Sequence, residues 1–230
     1  MDKRINNIKN YKTPSKDNLI VDHIKDQLED KMQASAMDIN LFCRNGMVHM
    51  SGIVDVLSEK IFAGDIARSI DGVSGIDNKI TIAMNSNSTD KQMEKEITDR
   101  LINSKAEEDI SGVGVNVEGG VANLIGHTKI LKNAHIAMSL SSGVPGIKDV
   151  VNNIHISTAN VYDDATINSH VTQALSITDL SYGDIAHSVN FGKLVLNGYV
   201  KNKHEMEIAK EVAMNVEGVT KVINKLKMRK

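Results

Sequence analysis

One pattern recurs three times along this chain, and it constrains the fold more than any local propensity. Aligned on Gly52, Gly126 and Gly198, the three copies agree over about sixty residues each. Six positions before these stand Gly46, Gly120 and Gly192. Twenty positions after them stand Gly72-Val73, Gly146-Ile147 and Gly218-Val219, and six further on come Asn78, Asn152 and Asn224. A chain of 230 residues shared among three copies leaves roughly 65–70 residues per unit. A unit of that size buries only a modest core and leans on a neighbour or a partner. Nothing that looks catalytic recurs with the spacing.

Each copy opens with an aspartate, Asp17, Asp90 or Asp164, placed to cap a helix. An apolar i, i+4, i+8 stripe follows: Ile20, Ile24, Leu28; Met93, Ile97, Leu101; Ile167, Val171, Leu175. Alternation at Ile39, Leu41, Cys43, at Val113, Val115, Val117 and at Ile185, His187, Val189 then predicts a strand with one buried face. Gly46, Gly120 and Gly192 supply a hairpin turn. A second strand returns with Val48 and Met50, Ala122 and Leu124, Leu194 and Leu196 inward, and is expected to end at Gly52, Gly126 or Gly198. There the missing Cβ implies a close backbone approach or a bulge. A second, alanine-rich helix carries Phe62, Ala63, Ile66, Ala67 and Ile70 in the first copy, with counterparts around Ala137 and Ala209. It is expected to stop at Gly72, Gly146 or Gly218 as a C-terminal cap. A third strand places Ile80 and Ile82, Ile154 and Ile156, Leu226 and Met228 inward.

The expected fold is α+β: three tandem α-β-β-α-β modules over 17–84, 90–158 and 164–230, each a mixed three-stranded sheet with two helices on one face. Residues 1–16 are expected to form a flexible basic tail.

The runs GMVHMSG…DGVSGIDNKITI, GVANLIG…PGIKDVVNNIHI and GKLVLNG…EGVTKVINKLKM resemble the BON domain, named for OsmY and bacterial nodulation proteins. The resemblance covers about nine-tenths of the chain in three copies. It implies a non-catalytic binding or scaffold protein, and peripheral association with phospholipid or an envelope-linked surface in stress. The alternative is a cytoplasmic protein-interaction or oligomerisation module that uses its open sheet faces. Envelope members of the family carry a signal peptide. Here the basic N-terminus lacks an apolar stretch, so the expectation is a cytoplasmic chain, or a periplasmic or envelope-associated one if a leader was removed.

Composition narrows the function classes. Tryptophan is absent and aromatics make up 3%, which weighs against nucleic-acid binding by stacking. Residues 1–16 carry five Lys/Arg against one Asp, 17–84 six against eleven acids, 85–160 seven against nine, and 161–230 nine against eight. An acidic middle with basic ends directs any anionic phospholipid to Lys3, Arg4, Lys9 and Lys12 and to Lys221, Lys225, Lys227, Arg229 and Lys230. The open sheet faces should carry Ile53, Ile125, Val195 and Tyr199, the expected surface for a protein partner. No stretch approaches a membrane span.

The histidines lack the spacing of a zinc site, no G-x-S-x-G elbow exists, and the glycine run 112–120 precedes no helix. Neither a cofactor nor a metal is expected. Cys43 aligns with Val117 and Val189 and reads as a buried small hydrophobe.

Overall fold

The computed structural model describes residues 15–32, 38–83, 88–104, 110, 112–157, 162–178, 180 and 184–229. The first module contains α1 (Lys16–Met32), β1 (Ile39–Arg44), β2 (Met47–Val54), α2 (Leu57–Ser69) and β3 (Gly75–Ile82). The second contains α3 (Asp90–Ile102), β4 (Val113–Glu118), β5 (Val121–Thr128), α4 (Leu131–Ser142) and β6 (Asp149–Ile156). The third contains α5 (Asp164–Ser176), β7 (Ile185–Asn190), β8 (Lys193–Val200), α6 (Lys203–Met214) and β9 (Lys221–Met228). In every module the first hairpin is antiparallel and the last strand joins the central one in parallel. The chain divides into two compact units, Met1–Met84 and Asn85–Lys230.

The α-β-β-α-β order arises because each amphipathic helix buries its stripe on the same sheet face. Ile24, Leu28, Met50 and Ile80 close the first core, and Val171, Leu175, Leu194 and Leu196 the third. Each such side chain contributes about 1.5–3 kcal/mol on leaving water. Within the second unit the cores are shared: Leu131 at the start of α4 is buried in the third module's cluster, with Ile156 packed against it. A module of this size leans on its neighbour.

Two of the three recurrent glycines and the aspartate of each copy meet at one junction. Asn45-Gly46, Gly119-Gly120 and Phe191-Gly192 all have positive φ at both positions, the backbone of a type I′ two-residue hairpin. The aspartates do not cap their helices, contrary to expectation. Ser15, Thr89 and Asp163 accept the capping bonds, from the N–H groups of Asn18, Gln92 and Thr166. Each aspartate sits just inside the helix and accepts both N–H groups of the hairpin turn. The distances are 2.9 and 3.0 Å at Asp17, 2.8 and 3.1 Å at Asp90, and 2.8 and 2.9 Å at Asp164.

The turn in turn holds the loop before the last strand. Ser74, Lys148 and Thr220 donate their N–H groups to the carbonyls of Gly46, Gly120 and Gly192 at 2.8–2.9 Å. Gly72, Gly146 and Gly218 lie in that loop, beyond the helix ends at Ser69, Ser142 and Met214, and so are not the caps expected from the sequence. Their φ values are 85–95°, and Ile20, Met93 or Ile167 of the first helix packs over them where a Cβ would stand.

Gly52, Gly126 and Gly198 lie inside the central strands, which run two residues further than expected. Their φ values are 140, 120 and 118°, and an added Cβ would overlap the carbonyl oxygen of Asp38, Gly112 or Asp184. The recurrent asparagine joins the last strand to its neighbours. Asn78 Oδ1 accepts the Ile80 N–H and its Nδ2 donates to the Lys60 carbonyl, and Asn224 repeats both bonds with Leu226 and Met206.

Candidate functional site

Strand alternation leaves one face of each sheet uncovered by helices. Ile53, Ile125 and Tyr199 are 58%, 52% and 51% exposed there, while Val195 is half-buried. The three faces differ in charge. On the first, Phe42 leans on His49, and Asp77 takes bonds from His49 at 3.2 Å and Lys79 at 3.1 Å. Lys79, then His49, hold the Asp77 carboxyl below its ordinary value. This face carries the carboxylate of Asp77 against Arg44 and Lys79, and one ring pair, Phe42 with His49. The second sets Ile125 and Val151 beside the cross-strand neighbours His127 and His155.

The third face is basic. Register pairs Lys193 with Lys221, Val195 with Ile223, Asn197 with Lys225 and Tyr199 with Lys227. Four exposed lysines thus flank Val195, Ile223 and Tyr199, and no carboxylate stands on that face of β7–β9. Arg229 is not part of it, because its guanidinium is paired with Asp184. Lys3, Arg4, Lys9, Lys12 and Lys230 lie outside the described residues. The sequence reading missed Lys193, which lies far from the C-terminal lysines in the chain and reaches them only through strand register. Met228, expected inward, is exposed at the end of the edge strand β9; Phe62 is also partly exposed.

Phe191 was also missed. It stands at the hairpin tip next to Lys193, 86% exposed, at φ 47°. The sequence signal was available, since the other two copies place Asn45 and Gly119 there, residues that tolerate left-handed backbone. A phenylalanine gains nothing from packing at this position and bears the strain. Phe191→Asn is therefore expected to raise the third module's stability by about 1 kcal/mol. A melting temperature that is unchanged or lower by calorimetry would show that the side chain stabilises the fold.

Between α4 and α6 lies a groove of about 320 Å³. Lys132 donates to Glu211 across it at 2.7 Å, which lowers the Glu211 carboxyl. His135 in the same groove is held below its ordinary value, first by burial and then by Lys210. Cys43 is buried, its thiol pushed up by burial and by the neighbouring Asp17 carboxylate, a setting that disfavours the thiolate. His187 bonds Thr172 at 3.0 Å through Nε2 in a partly buried site. Among the described residues, no group of His, Cys, Asp and Glu is placed to hold a metal ion, and no helix is long and apolar enough to cross a membrane.

The family model described as "BON domain" matches residues 16–84, 89–158 and 163–230. The chain belongs to the BON-domain family. Membership makes these three BON modules binding and scaffolding units without catalytic machinery. No curated protein matches the chain significantly.

Solved structures align over most of it at low similarity. The C-terminal domain of CdsD, described as a structural protein of the Type III secretion system of Chlamydia trachomatis, is 15% identical; the match covers 92% of this chain and 98% of that one, with a TM-score of 0.27. A periplasmic domain of the T3SS inner membrane protein PrgH from S. typhimurium is 12% identical, covering 88% and 100%, with a TM-score of 0.23. Likenesses this weak carry no information on partners. Domains described as periplasmic stand among the aligned structures, and the cytoplasmic expectation is withdrawn. That expectation had rested on the missing apolar stretch near Met1, and the start of a chain decides no compartment.

Proposed function

We propose that this BON array is a binding scaffold that holds a protein partner against the open faces of its sheets. The observation that carries this reading is the exposure, by more than half, of Ile53, Ile125 and Tyr199 on faces that no helix covers. Large apolar side chains grouped on an uncovered sheet gain free energy when a partner removes them from water. A photo-crosslinking residue placed at 53, 125 or 199 in the native host should give protein adducts, and one at the exposed helix position Lys91 should not. Adducts to lipid alone, or equal labelling from Lys91, would count against it.

A second reading is favoured by the lysines of the third module, and concerns peripheral contact with anionic phospholipid. Four lysines around an exposed tyrosine, with Phe191 at the sheet's end, form a basic face with an aromatic edge. Each lysine is worth up to ~1 kcal/mol near a charged bilayer. The chain should sediment with anionic vesicles at low salt and leave them as salt rises. Changing Lys193, Lys221, Lys225 and Lys227 together to Gln should weaken that binding roughly a hundredfold. Binding that ignores salt, or survives the four changes, removes the lipid reading and leaves the protein-partner one standing.

A further inference from the structure

We propose that the outer face of α2 in the first module is a homodimer contact, docking on the same face of α2 in a second copy of this chain. The argument starts from the repeat. Ile61 and Phe62 align with His135 and Ile136 in α4 and with Glu207 and Ile208 in α6. In the second unit those faces already meet: His135 and Ile136 stand across the groove from Glu207 and Glu211, and the Lys132–Glu211 ion pair closes it. Helix-to-helix association through this face is thus part of how these modules join. In the first module the same face is open, with Ile61 49% and Phe62 38% exposed.

The side chains differ between the two settings in an informative way. The groove inside the chain is mixed, with Lys132, His135, Glu207 and Glu211 beside Ile136 and Met214, and it joins modules tethered to each other at high effective concentration. The α2 face has Ile61 where α4 has His135 and α6 has Glu207, and Phe62 where they have Ile136 and Ile208, so it is the most apolar of the three. A contact between separate chains must offset lost translational freedom, and apolar burial supplies that.

Register adds charge complementarity. Lys132 and Glu211 correspond to Ser58 and Asp65 of the first module. An antiparallel two-fold pairing that sets Ser58 opposite Asp65 of the second copy, as Lys132 stands to Glu211, also sets Ile61 opposite Phe62 and Arg68 opposite Asp55. Two-fold symmetry makes each of these contacts twice. Arg68 and Asp55 are both exposed, and the present partner of Arg68, Asp65 at 2.6 Å, is a solvent-facing pair that is easily exchanged. One helix face per chain is a small interface, so the expected dimer is weak, with Kd roughly micromolar. This surface lies on the helix side of the module, away from the sheet faces of the proposed function.

Sedimentation velocity of the full chain between ~1 and ~100 µM tests the proposal. The wild type should shift from monomer to dimer. Phe62→Glu should weaken the dimer at least about tenfold, while Ile177→Glu, an exposed apolar residue of the third module, should leave it unchanged. Arg68→Asp and Asp55→Arg should each weaken it, and the double reversal should restore it. That restoration keeps the test decisive even if Phe62→Glu disturbs folding. A monomer throughout, a dimer indifferent to Phe62→Glu, or a double reversal that fails to recover would overturn the proposal. Loss of the dimer on Ile53→Glu with Phe62→Glu silent would move the contact to the open sheet face, in favour of the proposed function and against this inference.

Discussion

Gly126→Val is expected to unfold the second module, at a cost of about 3 kcal/mol or more. The backbone at Gly126 has φ 120°, a region closed to β-branched residues, and the new Cβ would overlap the Gly112 carbonyl oxygen. That carbonyl accepts the His127 N–H at 3.2 Å, so it cannot withdraw without breaking the first pairing of the sheet. Gly114 gives the contrast on the same hairpin. It has no positive φ, and a Cβ there would sit 3.7 Å from Ile125 Cγ1, an ordinary contact. Gly114→Val should fall within about 0.5 kcal/mol of the wild type, or gain slightly from strand propensity. Amide hydrogen exchange of β4–β6 in the full chain separates the two. Equal loss of protection in both variants would mean that the close approach at Gly126 carries no special weight.

Asp90→Ala should give the second-largest loss. The carboxylate accepts two turn N–H groups, at Gly119 and Gly120, and bonds to a charged acceptor contribute about 1.5–3 kcal/mol. Asp90→Asn retains one acceptor oxygen and should lose less than Ala. If both variants melt with the wild type, the junction is geometric and the bonds are incidental. The same clamp makes the first module sensitive to acid. The N–H groups of Gly46, then Asn45, hold the Asp17 carboxyl below its ordinary value of 3.8. Its stabilisation is therefore complete above that ordinary value and disappears as pH falls through the lower, folded one. Asp17→Asn should flatten this acid limb of the first unit's stability curve, measured by exchange in β1–β3.

Element order, the buried stripes and the positions of the turns were readable along the chain. Each depends on residues close in sequence, and three copies at fixed spacing removed the ambiguity a single copy would leave. The repeat also marked Asp17, Asp90 and Asp164 as special while hiding their role. An aspartate just ahead of an apolar stripe looks like a cap, and the partners that claim these carboxylates lie 27 to 30 residues away. The glycines before the last strands were misread in the same way, because a helix end and a loop crossing under another helix both ask for a missing Cβ.

The candidate surfaces were less legible for a similar reason. Lysines 221, 225 and 227 were visible as a basic strand, but only the parallel register with β8 adds Lys193 and sets Val195, Ile223 and Tyr199 among them. Phe62 counted as core because it fits a helical stripe; its partial exposure depends on how α2 rolls against the sheet, an angle that no periodicity encodes. The sequence by itself determined the number of modules, their order of elements and most residues of their cores, since local spacing and hydrophobic period dictate these. The tertiary structure alone decided which far-separated groups meet and which apolar faces stay open, since both follow from strand register and helix packing across the folded chain.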